Sequence, residues 1–173
     1  LIGIVSRLTE QKGMYMVTEK LREIMDQNVQ FVVLGTGEAN AENSFKWLES
    51  EYKGRAVYYC GYNEDLAHLI YAGCDVFFMP SIYEPCGIGQ LIAMHYGTLP
   101  IVRETGGLKD TVHPYNQYTG EGNGFSFWAA NPNDMMYTLR YALEQYYNNK
   151  TGWKGLMKSA MNTNVSWEQS ANQ

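Results

Sequence analysis

A lone carboxylate, a thiol and two glycines fall within ten residues of this chain, in the segment "SIYEPCGIGQ" (81–90). The segment directly follows the apolar run "DVFFMP" (75–80), so it is predicted to be the loop between a strand and a helix. Small residues at such a turn leave backbone amides open to an anion. We therefore expect a phosphate-bearing ligand here.

On the residues alone, the simplest role for Glu84 is that of an acid at the start of a helix, which the helix dipole stabilises by about 0.3–1 kcal/mol.

Cationic and aromatic residues follow other apolar runs along the chain. The segments concerned are "SRLTEQKG" (6–13), "GTGE" (35–38), "GYNE" (61–64) and "RETGG" (103–107). Because ligands bind at the carboxyl edge of an open parallel sheet, these loops and the one containing Glu84 are predicted to converge on one crevice. Arg7, Lys12 and Arg103 would supply its positive charge. Solvated surface charges are an equally good interpretation of Arg7 and Lys12 on this evidence alone.

The elements that must position these loops alternate along the chain. Six short apolar runs without polar alternation predict strands buried on both faces, at 1–5, 31–35, 56–60, 75–80, 99–102 and 124–128. Helical stretches are predicted between and after them, at 14–28, 41–54, 64–74, 89–97, 107–112 and 131–149. This alternation predicts an α/β fold with a doubly wound parallel sheet of about six strands.

The composition excludes several classes of protein. The chain has 173 residues, 45% of them hydrophobic, which suits one globular domain. Its net charge of −5 provides no basic surface for nucleic acid or an anionic membrane. No apolar run approaches the length of a membrane span. Neither a nucleic acid nor a membrane is therefore an expected partner.

The three cysteines, Cys60, Cys74 and Cys86, show no CxxC spacing. Their odd number argues against a disulfide framework or a zinc site and for a reducing compartment, so we expect a cytoplasmic protein. Cys86 has no histidine in its motif and is interpreted as a packing residue, not a nucleophile. His68 and His95 fall within predicted helices and are interpreted as packed or surface residues.

Three quoted segments together resemble a known family. "SRLTEQKG" (6–13), "PSIYEPCGIGQLIAMHYGTLPIVRETGGLKDTV" (80–112) and "GNGF" (122–125) are similar to the C-terminal domain of bacterial glycogen synthases and plant starch synthases. The resemblance extends to "SWEQSA" (166–171) and implies the C-terminal half of a retaining GT-B glycosyltransferase. The first residue is Leu1 and not Met, so the chain is expected to be a fragment that lacks the N-terminal half. We expect 1–173 to form one nucleotide-sugar-binding domain.

The resemblance implies transfer of glucose from ADP-glucose to the non-reducing end of an α-1,4-glucan, with retention. Arg7 and Lys12 would hold the donor pyrophosphate and stabilise charge on departing ADP, so that neither a metal nor another cofactor is needed. Glu84 would orient the donor glucose and support positive charge at the anomeric carbon. Hydrolases instead flank the bond with two carboxylates, whereas this loop has only one.

The resemblance also implies a set of donor contacts. Tyr62 matches a position whose aromatic ring stacks on adenine in relatives, although an aromatic residue after a strand is as often part of the core. Backbone amides of the following residues would contact sugar and phosphates: Cys86, Gly87, Ile88 and Gly89. Relatives often have threonine at the position of Gly89 and an Arg-Phe pair at Ile82 and Tyr83, so side-chain contacts at these positions are not expected.

Two alternatives remain open on the sequence. One is another retaining GT-B transferase, of the sucrose synthase or trehalose synthase kind, with UDP-glucose as a possible donor. Those enzymes usually have a second glutamate eight residues after the first, where this chain has Ile92. The other is a non-catalytic nucleotide-sugar-binding or glucan-binding module, which would not require Arg7, Lys12 and Glu84 together. A phosphorylase is disfavoured, since no segment resembles its lysine-bound pyridoxal phosphate loop.

Overall fold

A six-stranded parallel sheet forms the centre of the protein, which is described here from a computed structural model covering residues 1–163. The segment "SWEQSA" (166–171) lies outside the described residues. The strands run in the spatial order β3-β2-β1-β4-β5-β6. Their bounds are β1 Ile2–Val5, β2 Phe31–Gly35, β3 Ala56–Cys60, β4 Val76–Met79, β5 Leu99–Arg103 and β6 Phe125–Phe127. The predicted α/β fold class is confirmed.

The continuous apolar character of the central strands follows from burial on both faces. All of β5 except its last residue is buried, and Ile2 of β1 pairs with Phe31 on one side and Val76 on the other. The edge strand β3 is an exception to the prediction, because Val57 and Tyr59 are exposed. An edge strand has only one neighbouring strand, and these two side chains on β3 are open to solvent.

Helices cover both faces of the sheet. They are α1 Met14–Glu19, α2 Leu21–Met25, α3 Ala39–Glu51, α4 Glu64–Gly73, α5 Gly89–His95, α6 Gly106–Thr111, α7 Pro132–Asn148 and α8 Lys150–Met161, with a 3₁₀ turn at Glu10–Lys12. Within residues 1–163, no helix is long and apolar enough to cross a lipid bilayer.

Two helical features differ from the sequence prediction. The helix predicted over 14–28 is broken at Lys20, which has a non-helical backbone, and the second piece ends at Met25.

The helix α8 was not predicted. Its start is capped by Asn149, whose side chain accepts a hydrogen bond from the Gly152 amide at 3.0 Å. Trp153 then packs in a stacked arrangement on Phe125 of β6, with ring centroids 5.9 Å apart.

Candidate functional site

Lys12 and Glu84 meet where the direction of strand order reverses. The strand β1 continues to β2 and β3 on one side, whereas β4 begins the other half of the sheet, and open α/β sheets bind ligands at such a switch point. Lys12 follows β1 and Glu84 follows β4. The Lys12 Nζ atom lies 2.6 Å from Glu84 Oε2, and both side chains are largely buried.

The loop after β1 is fixed against the end of β4 by a glycine. The 3₁₀ turn that contains Lys12 ends at Gly13, which has a φ of +75°, a region that favours glycine. A Cβ atom at Gly13 would lie only 2.0 Å from the Pro80 carbonyl oxygen. The Ile82 amide also donates to the Gln11 carbonyl at 2.9 Å. These contacts hold Lys12 opposite the loop that contains Glu84.

Glu84 is held from two further directions. The buried Ser81 hydroxyl donates to Glu84 Oε2 at 3.3 Å. The Gly107 amide, at the start of α6, donates to the Glu84 carbonyl at 3.1 Å. A Cβ atom at Gly106 would lie 2.1 Å from that same carbonyl oxygen, so a larger residue could not approach as closely. The carboxylate therefore has a defined position before any ligand binds.

The interpretation of Glu84 as a helix-start acid is wrong. The helix α5 begins only at Gly89, and its first turn contains no acidic residue. The dipole at a helix terminus acts within about one turn, so it does not account for the placement of Glu84. The contacts of this carboxylate are instead the ammonium group of Lys12 and the hydroxyl of Ser81.

Arg103 does not supply a free cation to the crevice, contrary to the sequence prediction. Its guanidinium donates to the carbonyls of Ser81 at 3.2 Å, Trp128 at 3.0 Å and Ile82. All three acceptors are backbone oxygens in the loops after β4 and β6. Arg103 thus fastens the loop that contains Glu84 to its neighbour.

A cavity of about 400 Å³ opens beside the ion pair. Its walls include Arg7, Lys12, Glu84 and the loop 85–89, so it brings together all three predicted catalytic residues. Within residues 1–163, no backbone or side-chain acceptor takes a hydrogen bond from the amides of Cys86, Gly87 or Ile88. These amides remain available to a ligand. The residues predicted to contact the donor through their backbone all line this cavity: Cys86, Gly87, Ile88 and Gly89.

Arg7 and Tyr62 line a second, adjoining cavity of about 230 Å³. The two cavities share Arg7 and the end of β1. Arg7 is exposed, and its side chain forms no ion pair with any of residues 1–163. Tyr62 is 75% exposed, so the alternative of a core aromatic is wrong. This cavity therefore offers a ligand both an exposed aromatic ring and a guanidinium group without an ion-pair partner.

The cysteines and histidines provide no second catalytic centre. All three cysteines are free thiols, and burial raises the pKa of Cys74 to about 12. Cys86 is exposed, so its interpretation as a packing residue does not hold. His68 and His95 are exposed on α4 and α5. Among the residues that the structure describes, no three His, Cys, Asp or Glu side chains cluster as metal ligands would.

Sequence reasoning missed Ser81 as a partner of Glu84. The serine is 1% exposed and its hydroxyl contacts the carboxylate, yet serine beside a proline ordinarily indicates only a turn. Its position three residues before Glu84, directly after a buried strand, was the available signal.

Comparison with known proteins identifies the family of this chain. The family described as glycosyl transferases group 1 matches residues 1–145, and the chain belongs to that family. It is 54% identical over 171 residues to the glycogen synthase of Bacillus cereus strain B4264 and 47% identical over 173 residues to that of Clostridium botulinum strain Alaska E43. The resemblance predicted from the motifs is confirmed.

A solved structure extends the likeness to three dimensions. The catalytic domain of starch synthase IV from Arabidopsis thaliana, bound to ADP and acarbose, matches with a TM-score of 0.90 and 35% identity. That match covers 99% of this chain and 36% of the plant chain. The match to the Bacillus cereus protein likewise covers 99% of this chain and 36% of the relative. The chain thus spans about a third of the length of these proteins.

Proposed function

We propose that this chain is the donor-binding half of a glycogen or starch synthase, which transfers glucose from ADP-glucose to an α-1,4-glucan with retention. The observation that supports this most directly is the Lys12–Glu84 pair, which lines one cavity together with the open amides at 86–88. The likeness to glycogen synthases and to a starch synthase structure containing ADP agrees with it.

The two adjoining cavities suit the two ends of ADP. The nucleoside would occupy the smaller cavity, with its base against Tyr62. The pyrophosphate would lie in the larger cavity, where it would accept hydrogen bonds from the amides 86–89 and from Arg7 and Lys12. Charge-assisted hydrogen bonds to phosphate are the stronger class, and several would converge here.

The same groups would stabilise the departing ADP. As the bond between glucose and phosphate breaks, negative charge grows on the phosphate oxygens, and preorganised cations stabilise such charge most effectively. Arg7 and Lys12 are therefore proposed as catalytic residues, without a metal ion. The Glu84 carboxylate would support the positive charge that develops at the anomeric carbon and orient the donor sugar.

The acceptor and the rest of the enzyme are also part of the proposal. Because the chain spans 36% of the length of its relatives, we propose that a further, N-terminal domain of the same enzyme closes the cleft and binds the glucan acceptor. We further propose a cytoplasmic enzyme. A non-catalytic binding module is less well supported, since it would not require Arg7, Lys12 and Glu84 around one cavity.

Calorimetric titration with ADP, UDP and their glucose conjugates tests the donor class. We expect ADP and ADP-glucose to bind, and UDP to bind at least about tenfold more weakly, a difference of about 1.4 kcal/mol. Tighter binding of UDP would instead favour another retaining GT-B transferase. Absence of binding by all four compounds, in a protein that melts cooperatively, would contradict a donor site in this half.

A further inference from the structure

Tyr71 lies in the wall of the larger cavity, although no role was predicted for it. It belongs to the last turn of α4, and the residue is 8% exposed. The ring packs against Phe77 of β4 with centroids 5.0 Å apart, so its orientation is fixed. The cavity wall includes Tyr71 together with Lys12, Glu84 and the loop 85–89.

The Tyr71 hydroxyl points to the first residue of α5. A Cβ atom at Gly89 would lie 3.5 Å from this hydroxyl oxygen and 3.2 Å from the nearest carbon of the Phe77 ring. A Cβ atom at this position would thus be in ordinary contact with the phenol oxygen and in tight contact with the Phe77 ring. The hydroxyl lies beside the loop whose amides are open to a ligand.

The hydroxyl has no partner within residues 1–163, yet it is not sealed from solvent. The described residues contain one fully buried side-chain polar atom without a hydrogen bond, and that atom is Gln90 Oε1. The Tyr71 hydroxyl, which also lacks a partner there, therefore retains access to solvent, and its residue lines the larger cavity. Burial, together with the neighbouring Tyr62, raises the pKa of Tyr71 above its usual value, so the phenol remains a proton donor at neutral pH.

We infer that Tyr71 is a further donor-binding residue, whose hydroxyl donates a hydrogen bond to a phosphate oxygen of the bound nucleoside diphosphate. This inference rests on the proposed function, because it needs a pyrophosphate beside the loop 86–89. It assigns a donor contact to a tyrosine of α4 whose hydroxyl lies next to the first residue of α5.

Tyr71→Phe removes only the hydroxyl and keeps the ring against Phe77. In titrations of the protein with ADP, we expect the dissociation constant to rise about tenfold, the effect of losing one hydrogen bond to a charged group. Adenosine, which has no phosphate, should bind both proteins equally when followed by NMR. Tyr96→Phe is the matched control, since Tyr96 is an exposed tyrosine outside both cavities, and it should leave ADP binding unchanged.

Gly89→Thr in the Tyr71→Phe background gives a second measurement. A threonine hydroxyl would occupy the space that the phenol oxygen vacates, so we expect ADP affinity to recover at least in part. Unchanged ADP affinity in Tyr71→Phe, or an equal loss for ADP and adenosine, would overturn the role of Tyr71 alone. If the unsubstituted protein bound no ADP, the proposed function would fail together with this inference.

Discussion

Lys12 and Glu84, 72 positions apart in the sequence, form a 2.6 Å ion pair across the switch point of the sheet. Largely buried charges require partners, and in the absence of ligand each residue neutralises the other. The ammonium group has three donors, of which the carboxylate uses one. Lys12 can therefore contact a phosphate oxygen while it remains hydrogen-bonded to Glu84, so donor binding need not break the pair.

Replacing Lys12 by alanine in the complete enzyme should lower the turnover rate by about 10²–10³, the effect of losing one preorganised charge donor. The loss arises because the charge on departing ADP would be stabilised by Arg7 and the loop amides without the lysine ammonium group. Radiolabelled glucose transfer to glycogen measures the rate. Lys20→Ala is a suitable control, because Lys20 pairs with Glu23 outside both cavities and should leave the rate unchanged. A loss below about threefold for Lys12→Ala would rule out the proposed role.

Glu84→Gln keeps the size of the side chain and removes its charge. If the carboxylate supports positive charge at the anomeric carbon, turnover should fall strongly while ADP affinity hardly changes, because the interaction develops only in the transition state. Steady-state kinetics and ADP titration separate the two effects. Thermal melting shows whether the substitution leaves the protein folded.

Two results would count against this role of Glu84. Unchanged turnover would show that the negative charge is not needed for the reaction. A collapse of ADP binding with intact thermal stability would show that the carboxylate acts on the ground state, through the placement of Lys12, and not on the transition state.

The central strands were predictable because parallel strands in the middle of a sheet are apolar along their whole length. Burial on both faces removes polar alternation, so runs such as 31–35 and 99–102 indicate strands without any further information. The crevice was predictable for a related reason, since loops after parallel strands share one edge of the sheet. Arg7, Lys12 and Glu84 accordingly line one cavity.

The remaining features depend on tertiary contacts that no local pattern encodes. The helix α8 contains Gly152 and Gly155, which lower helix propensity, but Trp153 stabilises it by stacking on Phe125. The Lys12–Glu84 pair depends on β1 lying next to β4, which strand alternation alone does not specify. Arg103 was predicted as a ligand cation, whereas its donors are used by backbone carbonyls of two neighbouring loops.

The exposed thiols offer a test of where ADP binds. Iodoacetamide should modify Cys60 and Cys86 in the folded protein, whereas Cys74 should react only after unfolding, because it is buried and burial raises its thiol pKa to about 12. Saturating ADP should protect Cys86, which lines the larger cavity, but not Cys60, which lies outside both cavities. Mass spectrometry of the labelled peptides measures each site. Equal protection of both cysteines, or none at Cys86, would contradict the proposed phosphate position.

Cys86→Ser should retain most of the turnover of the complete enzyme, because its backbone amide, and not its thiol, is proposed to contact the donor. Serine preserves the small size and the amide of Cys86. The rate of glucose transfer and the melting temperature should be measured on the same preparation. Complete inactivation without loss of folding would show that the thiol itself takes part in the reaction.

The 173-residue chain on its own should bind ADP but should not elongate glycogen. Its sheet and helices enclose two clusters of buried hydrophobic residues, and the open amides at 86–88, together with Arg7 and Lys12, line the cavities without help from another domain. We expect weak binding, with a dissociation constant of about 10⁻⁴ M, or about −5 to −6 kcal/mol. Transfer needs the acceptor and the exclusion of water by a closing domain. Glucose transfer by the purified chain would contradict the two-domain proposal. A lack of binding at millimolar ADP would place most of the donor site elsewhere in the enzyme.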